Sequence, residues 1–530
     1  MNRKPVAFLA VAGLLIPALT SCDGPLITDG IVVGTTDAFT ASKDAPAPLD
    51  PAFAYDVGTW NILRQTVQTL LIQPRGGGDL VPEAAQSCGF TDLLNERYAC
   101  TLRKDLKFAN GDPVTAGDVK YSIDRARALK ADSGVFALLS TIDTVETQGD
   151  DEVIFHLKAA DATFPFKLST PVAGIVDSDI YANDKLRDGF EVDGSGPYTL
   201  KAEVEDDKLV SAVFTKNPTY QGSLKVNNDK VVLRSFQDSD AMGAALDKGD
   251  IDLMTRTMSP EQIQKLSADS DDKVDVLEMS GLEIRYLAFN TNAPTVKSKA
   301  VRQAMAQVID RGELVSKVYR SQAEPLYSLV PPGIAGHSNS FFNKYGDPDT
   351  GKAKSMMERA GVTTPVKLTL HYTTDHYGSA TKEEFELLKK QLNDSGLFDV
   401  DIKGTPWATF RPAEQKGAYD VYGMGWFPDF PDADNYLAPF LDKDNFLGSP
   451  YTNTAIRSIL IPDSRRVADR ILASPMLTHI QDIVADDVPV LPLWQGNQYV
   501  AVSDTVTGTA YVLNSSSTLQ LGELGRGVSD

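Results

Sequence analysis

Apolar residues along this chain recur with two periods, near two and near 3.6, and the switches between them mark out its elements. "GIVVGTTD" (30–37) is a short β-branched run that predicts a buried first strand, and the "APAPLDPAF" that follows reads as loop. In "YACTLRKDLKF" (98–108), Cys100, Leu102, Leu106 and Phe108 alternate onto one face, and "NGDP" (110–113) supplies turn residues. "TAGDVKYSIDRARAL" then opens on a Thr115-x-x-Asp118 capping pattern and carries Val119, Ile123 and Ala126 at helical spacing. "SKAVRQAMAQVIDRGELVSKVY" (298–319) predicts one long helix with an apolar stripe from Val301 to Val318. Strand-like runs at 284–292, 366–374 and 487–502 alternate with helical segments, so the expectation is mixed α/β lobes. Internal repeats and low-complexity blocks are absent from the sequence.

Length changes this picture by excluding one core: at 530 residues the chain calls for two or three lobes. Its formal net charge of −21, with no Lys/Arg cluster to offset it, argues against nucleic acid as partner. The N-terminus carries a short basic region (Arg3, Lys4), an apolar stretch from Val6 to Ile16 and small residues up to Cys22, the pattern of a removable secretory signal over residues 1–21. Cys88 and Cys100 are then the two remaining cysteines, and in an exported chain the short loop between them predicts one disulfide, contributing about 3 kcal/mol in the chain-entropy model.

Candidate chemistry is sparse. "GDPDTGKA" (346–353) approaches a phosphate-binding loop but lacks the final hydroxyl and has two aspartates where phosphate would sit. No G-x-S-x-G or H-E-x-x-H pattern is present, and His371 and His376 form at best a weak metal pair beside the reading of ordinary surface or pocket histidines. What stands out is "GWFPDFPDADNY" (425–436), with its aromatic rings, prolines and three aspartates. Asp429, Asp432 and Asp434 do not fit the spacing of a calcium loop. A carboxylate among aromatic faces suits an ammonium group, through a charge-assisted hydrogen bond and cation–π attraction. A Pro-rich surface loop with solvated acids is the alternative from composition alone.

"YACTLRKDLKFANGDPVTAGDVKYSIDR" (98–125) resembles a stretch of the bacterial extracellular solute-binding proteins of the dipeptide/oligopeptide/nickel class, family 5. "GSGPYTL" (194–200), "FTKNPTYQG" (214–222), "ALDKGDIDL" (245–253), "YLAFNTN" (286–292), "KAVRQAMAQVIDR" (299–311) and "YGDPDTGKAKSMMERAG" (345–361) continue the resemblance in family order. "LTSC" (19–22) likewise resembles the lipobox of bacterial lipoproteins, which implies a lipidated Cys22 and a tether over 22–27. The fold implied is α/β, a large two-lobed periplasmic-binding-protein type II fold (cluster C-like) with an extra subdomain in lobe I. Lobe I would cover 28–281 with the subdomain near 60–170, lobe II 282–495, and 496–530 would return to lobe I.

The resemblance implies a non-enzymatic lipoprotein without cofactor or metal, anchored outside the bacterial cell membrane. It would be a monomer that captures peptides or related cationic small solutes between its lobes and delivers them to the permease subunits of an ABC importer. A sensing lipoprotein of the same fold and a secreted hydrolase are the alternatives. In the family the "GW-x-x-D" stretch supplies the aspartate that pairs with a peptide ammonium, which singles out Asp429, with Trp426 and Gly425 beside it. Dipeptide binders also carry an arginine in the region corresponding to 370–380, and none is present there, which puts a free dipeptide in doubt. Further pocket candidates are Tyr372, His376, Trp407, Trp494 and Gln495.

Overall fold

In a computed structural model of the protein, the described residues are 30–527 apart from 44, 76, 77, 132, 257, 269–272 and 444; the expected signal segment, Cys22 and the tether lie outside them. A seven-stranded sheet runs in the order Val274–Met279, Gln498–Ser503, Leu253–Thr255, Ile31–Thr35, Lys230–Ser235, Lys208–Lys216, Tyr198–Glu205. A six-stranded sheet runs in the order Ala323–Pro325, Val490–Gly496, Ile284–Phe289, Val421–Trp426, Val366–Thr373, Phe398–Thr405. Each sheet has its own hydrophobic core. One is drawn from Leu282 through Trp494, the others from residues 31–279 and 500–524. The result is a two-lobed α/β fold, and the chain crosses between lobes beside Leu282 and again between Gly496 and Gln498.

A four-stranded antiparallel sheet, ordered Ala85–Phe90, Arg97–Leu102, Glu152–Leu157, Ile142–Gln148, adds a small layer to the first lobe. Cys88 and Cys100 are paired residues on its first two strands and are joined as a disulfide. The helix Ala116–Leu129 covers this layer, and the capping box read from sequence forms there: Thr115 Oγ1 accepts from Asp118 N, and Asp118 Oδ2 accepts from Thr115 N at 2.9 Å.

Two expectations change. The long helix of 298–319 is two helices, Lys299–Val308 and Arg311–Lys317. Ile309 is extended, and Asp310 caps the second helix by accepting from Glu313 N at 2.9 Å, so a local Asp cap overrides an apolar stripe that runs on unbroken. The apolar run 487–502 is likewise two strands in different sheets. The false phosphate loop opens the helix Thr350–Arg359, with Asp349 as its cap.

The crossovers lie against each other. Gly496 N donates to Glu283 O at 3.0 Å, Gln495 Nε2 donates to Gly281 O at 2.6 Å, and a Cβ on Gly281 would collide with the carbonyl of Gly496. Away from the crossovers the lobes also touch. Phe166 stacks on Phe430 with centroids 5.8 Å apart, Ala162 N donates to Arg465 O at 2.7 Å, and Asn95 Nδ2 donates to Arg466 O at 3.0 Å. This is a closed arrangement of the lobes. No helix among the described residues is long and apolar enough to cross a membrane.

Candidate functional site

Closure leaves a cavity of about 150 Å³ beside the crossovers, walled by Arg256 of the first lobe and by Glu283, Arg285, Tyr377, Phe427 and Trp494 of the second. The central strand of the second sheet builds much of it. Arg285 stands in Ile284–Phe289, opposite Gly425 on one neighbouring strand and Trp494 on the other. A Cβ on Gly425 would collide with the Arg285 guanidinium, so the glycine is what lets a long cation lie flat on the sheet. The guanidinium lies 4.1 Å from the Tyr377 ring centroid and 5.1 Å from that of Trp494, and pairs with Glu283.

The predicted site residues separate into three groups. Trp494 and His376 line the cavity, and Trp407 backs it by stacking on His376 with centroids 3.9 Å apart. Trp494 is held by donating to Glu384 Oε1 at 3.2 Å and by packing on Tyr319. Desolvation in the narrow cleft, then the charges of Arg256 and Arg285, push the His376 imidazole down to about 4. Tyr372 and Trp426 do not reach the cavity. Tyr372 is 6 % exposed and stacks on Phe385, and Trp426 is 5 % exposed, packed on Phe440 and Phe446, with its indole N–H unpartnered. Strand alternation explains Trp426: it points to the opposite face from Gly425, where the helix Asp434–Leu441 packs. Gln495 ties the two crossovers together, and Gly425 serves Arg285.

Asp429 is in the seam between the lobes, outside the cavity lining, two positions along the chain from Phe427, which belongs to it. Its Oδ2 accepts from Asn435 Nδ2 at 2.8 Å and from Tyr55 Oη of the first lobe at 3.3 Å, and its N–H donates to Asn435 Oδ1 at 2.8 Å. Phe446 joins this corner edge-on to Tyr55 at 6.2 Å. No ion pair forms at Asp429 among the described residues. Burial pushes its carboxyl up to about 6, only partly offset by the hydrogen bonds from Asn435 and Tyr55 and the more distant charge of Arg64. Burial also brings the Arg64 guanidinium down to about 10. The other two acids of the stretch differ: Asp432 is gripped by Arg470 at 2.7 and 3.1 Å and Asp434 by Arg465 at 2.8 and 3.0 Å.

Residue patterns alone missed Arg256, Glu283, Arg285, Tyr377, Phe427, Tyr55 and Arg64. Arg285 did leave a signal, a lone arginine in the otherwise uncharged strand "IRYLAF". No group of three or more potential metal ligands occurs among the described residues.

Two α/β lobes joined by paired crossovers, closing on a cavity walled from both sides, define a binding protein of the periplasmic type. The chain belongs to the bacterial extracellular solute-binding proteins, family 5, whose sequence model matches residues 79–448. It is 27 % identical over 482 residues, 88 % of this chain and 90 % of the other, to the probable D,D-dipeptide-binding periplasmic protein DdpA of Escherichia coli. Among solved structures it is similar to AgaA of Agrobacterium tumefaciens R10 in complex with agropinic acid (TM-score 0.81, 21 % identity, 94 % of this chain and 99 % of that one). It is equally similar to the dipeptide binding protein of Pseudoalteromonas sp. SM9913 in complex with Met-Leu (TM-score 0.81, 22 % identity, 94 % and 100 %).

Proposed function

We propose that this solute-binding protein captures peptides or related small solutes bearing an ammonium group, and hands them to the permease subunits of an ABC importer. Lipidated Cys22 would hold it at the outer face of the cell membrane, and the crossovers at 281–283 and 496–498 would be the hinge. The names of the relatives, dipeptide binders among them, support peptide as the solute class.

The observation that carries the reading is Asp429. It is a carboxylate at the lobe seam whose two partners, Tyr55 and Asn435, are neutral donors, so its charge calls for a cation. An ammonium group beside it would lower the cost of ionising Asp429 and so strengthen the hydrogen bond that Tyr55 of one lobe already donates to Asp429 of the other. Ligand binding would thereby favour closure by its differential affinity for the closed state.

Native mass spectrometry of freshly purified protein, followed by a thermal-shift screen of di-, tri- and tetrapeptides, tests this. At a hundredfold excess over Kd a ligand should stabilise the protein by about 2.7 kcal/mol. At the same ligand concentration Asp429→Asn should cut this stabilisation to about 0.4–1.4 kcal/mol for peptides with a free amine. A ligand set without any cation would contradict the assignment.

A further inference from the structure

The cavity has the opposite polarity to Asp429. Its wall carries two arginines, Arg256 and Arg285, against one carboxylate, Glu283, in a chain whose net charge is −21. Arg285 is 7 % exposed. Its one ionic partner among the described residues is Glu283, through Nη1, and that buried nitrogen has no hydrogen-bond partner among them. A buried guanidinium nitrogen without an acceptor is costly, and the Arg285 side chain borders a cavity large enough for a small polar group.

Arg256 comes from the other lobe. It is held by Asp37, whose Oδ1 accepts from Arg256 Nε at 3.2 Å and lies 3.1 Å from Nη2. Its backbone has φ 65, the left-handed region that a non-glycine residue adopts only under constraint from its surroundings. Both guanidiniums converge on the ring of Phe427, 4.8 Å for Arg256 and 5.9 Å for Arg285. Two like charges on one ring, one from each lobe, repel; Asp37 and Glu283 offset that repulsion in part, and an anion between the guanidiniums would offset it further. The depressed imidazole of His376 registers the same two charges.

We infer that Arg285 and Arg256 form an anion subsite shared by the two lobes, which takes a carboxylate or phosphate group of the bound solute and draws the lobes together around it. The inference rests on the solute-binding reading and sharpens it: the solute is zwitterionic, its ammonium at Asp429 and its anionic group on the far side of Phe427. It also answers the missing arginine at 370–380, since the anion partner comes from the strand Ile284–Phe289 and from the first lobe instead. The planar, multi-donor guanidinium suits either oxyanion, so the shared chemistry is an oxyanion rather than one ligand.

The test measures Kd by calorimetry for alanyl-alanine, for its C-terminal amide, and for acetate and inorganic phosphate. It uses the mature full chain, Arg285→Gln, Arg256→Gln, and the double variant E283Q/R285Q, in which no carboxylate is left unpaired. The expected result is at least tenfold tighter binding of the free acid than of the amide by the wild type, with this preference lost in Arg285→Gln and in the double variant. Equal binding of acid and amide by the wild type overturns the anion subsite and leaves the peptide reading standing. If neither peptide binds but acetate or phosphate does, and Arg285→Gln abolishes that binding, the subsite stands and the peptide reading falls. If no anionic probe binds the wild type, the subsite is overturned.

Discussion

Within twelve residues the chain places one acid type in two settings. Asp432 and Asp434 lie in the second half of "GWFPDFPDADNY" and are each held by an arginine through two hydrogen bonds, with side chains 4 % exposed. Asp429, in the first half, sits at the lobe seam with only Asn435 and Tyr55 as donors. A paired buried carboxylate is a fastening: its charge is cancelled inside the protein and nothing outside is needed. A buried carboxylate whose charge is left over is what the proposed receptor role requires, since an external cation would stabilise its ionised form. Position in the fold decides between the two. Asp432 and Asp434 face the loop 464–470 of their own lobe, whereas Asp429 faces the other lobe.

Removing a fastening should have the largest effect. Asp432→Ala leaves the part-buried Arg470 without its ion-pair partner and should cost about 3–5 kcal/mol of stability, read from urea unfolding, with the choice among ligands unchanged; Asp434→Ala should cost less, because Arg465 keeps Asp442. Asp429→Ala should do the reverse. Affinity for an amine-bearing peptide should fall about 10- to 100-fold by calorimetry, in line with about 1.5–3 kcal/mol for a hydrogen bond to a charged group, while the fold persists.

The sign of the pH dependence follows from the raised carboxyl. Because Asp429 ionises near 4 unfolded but at about 6 folded, its ionisation costs the ligand-free protein stability progressively as pH rises from 4 to 6, with the full cost present above 6. Asp429→Asn should therefore raise the stability of the ligand-free protein at pH 7 by about 3 kcal/mol and leave it nearly unchanged at pH 4. Binding of an ammonium ligand, which requires the ionised form, should weaken as pH falls through 6 and release a proton at and below pH 6, where the ligand-free carboxyl still holds one. The smallest effect belongs to Tyr55→Phe, which removes one neutral donor across the seam. It should weaken ligand binding by about 0.5–1.5 kcal/mol without altering ligand choice.

Much of the fold was legible because the signals are local: the β-branched first strand, the Thr115–Asp118 capping box, and the alternating strands of the second sheet. The helix break at Ile309 was hidden because an apolar stripe continued across it, and the short Asp310 cap is a weaker signal than seven apolar residues in register. For the cleft, resemblance to the family pointed to Asp429, and composition alone left it undecided. Trp426 and Tyr372 are core residues, because strand alternation sets which neighbour faces the cleft and a motif does not record that phase. Arg256 and Tyr55 were out of reach of any local pattern, since they meet the site only through closure of a lobe some two to four hundred residues away along the chain.

The central claim is that Asp429 is the cation anchor. Its most direct test is a cycle in which one peptide that binds the wild type is compared with its N-acetylated form, on the wild type and on Asp429→Asn, by calorimetry at pH 7.5. With Asp429 as the anchor, acetylation should weaken wild-type binding at least tenfold and change binding to Asp429→Asn by no more than about twofold, a coupling of about 1 kcal/mol or more. Equal losses on acetylation in both proteins would contradict it.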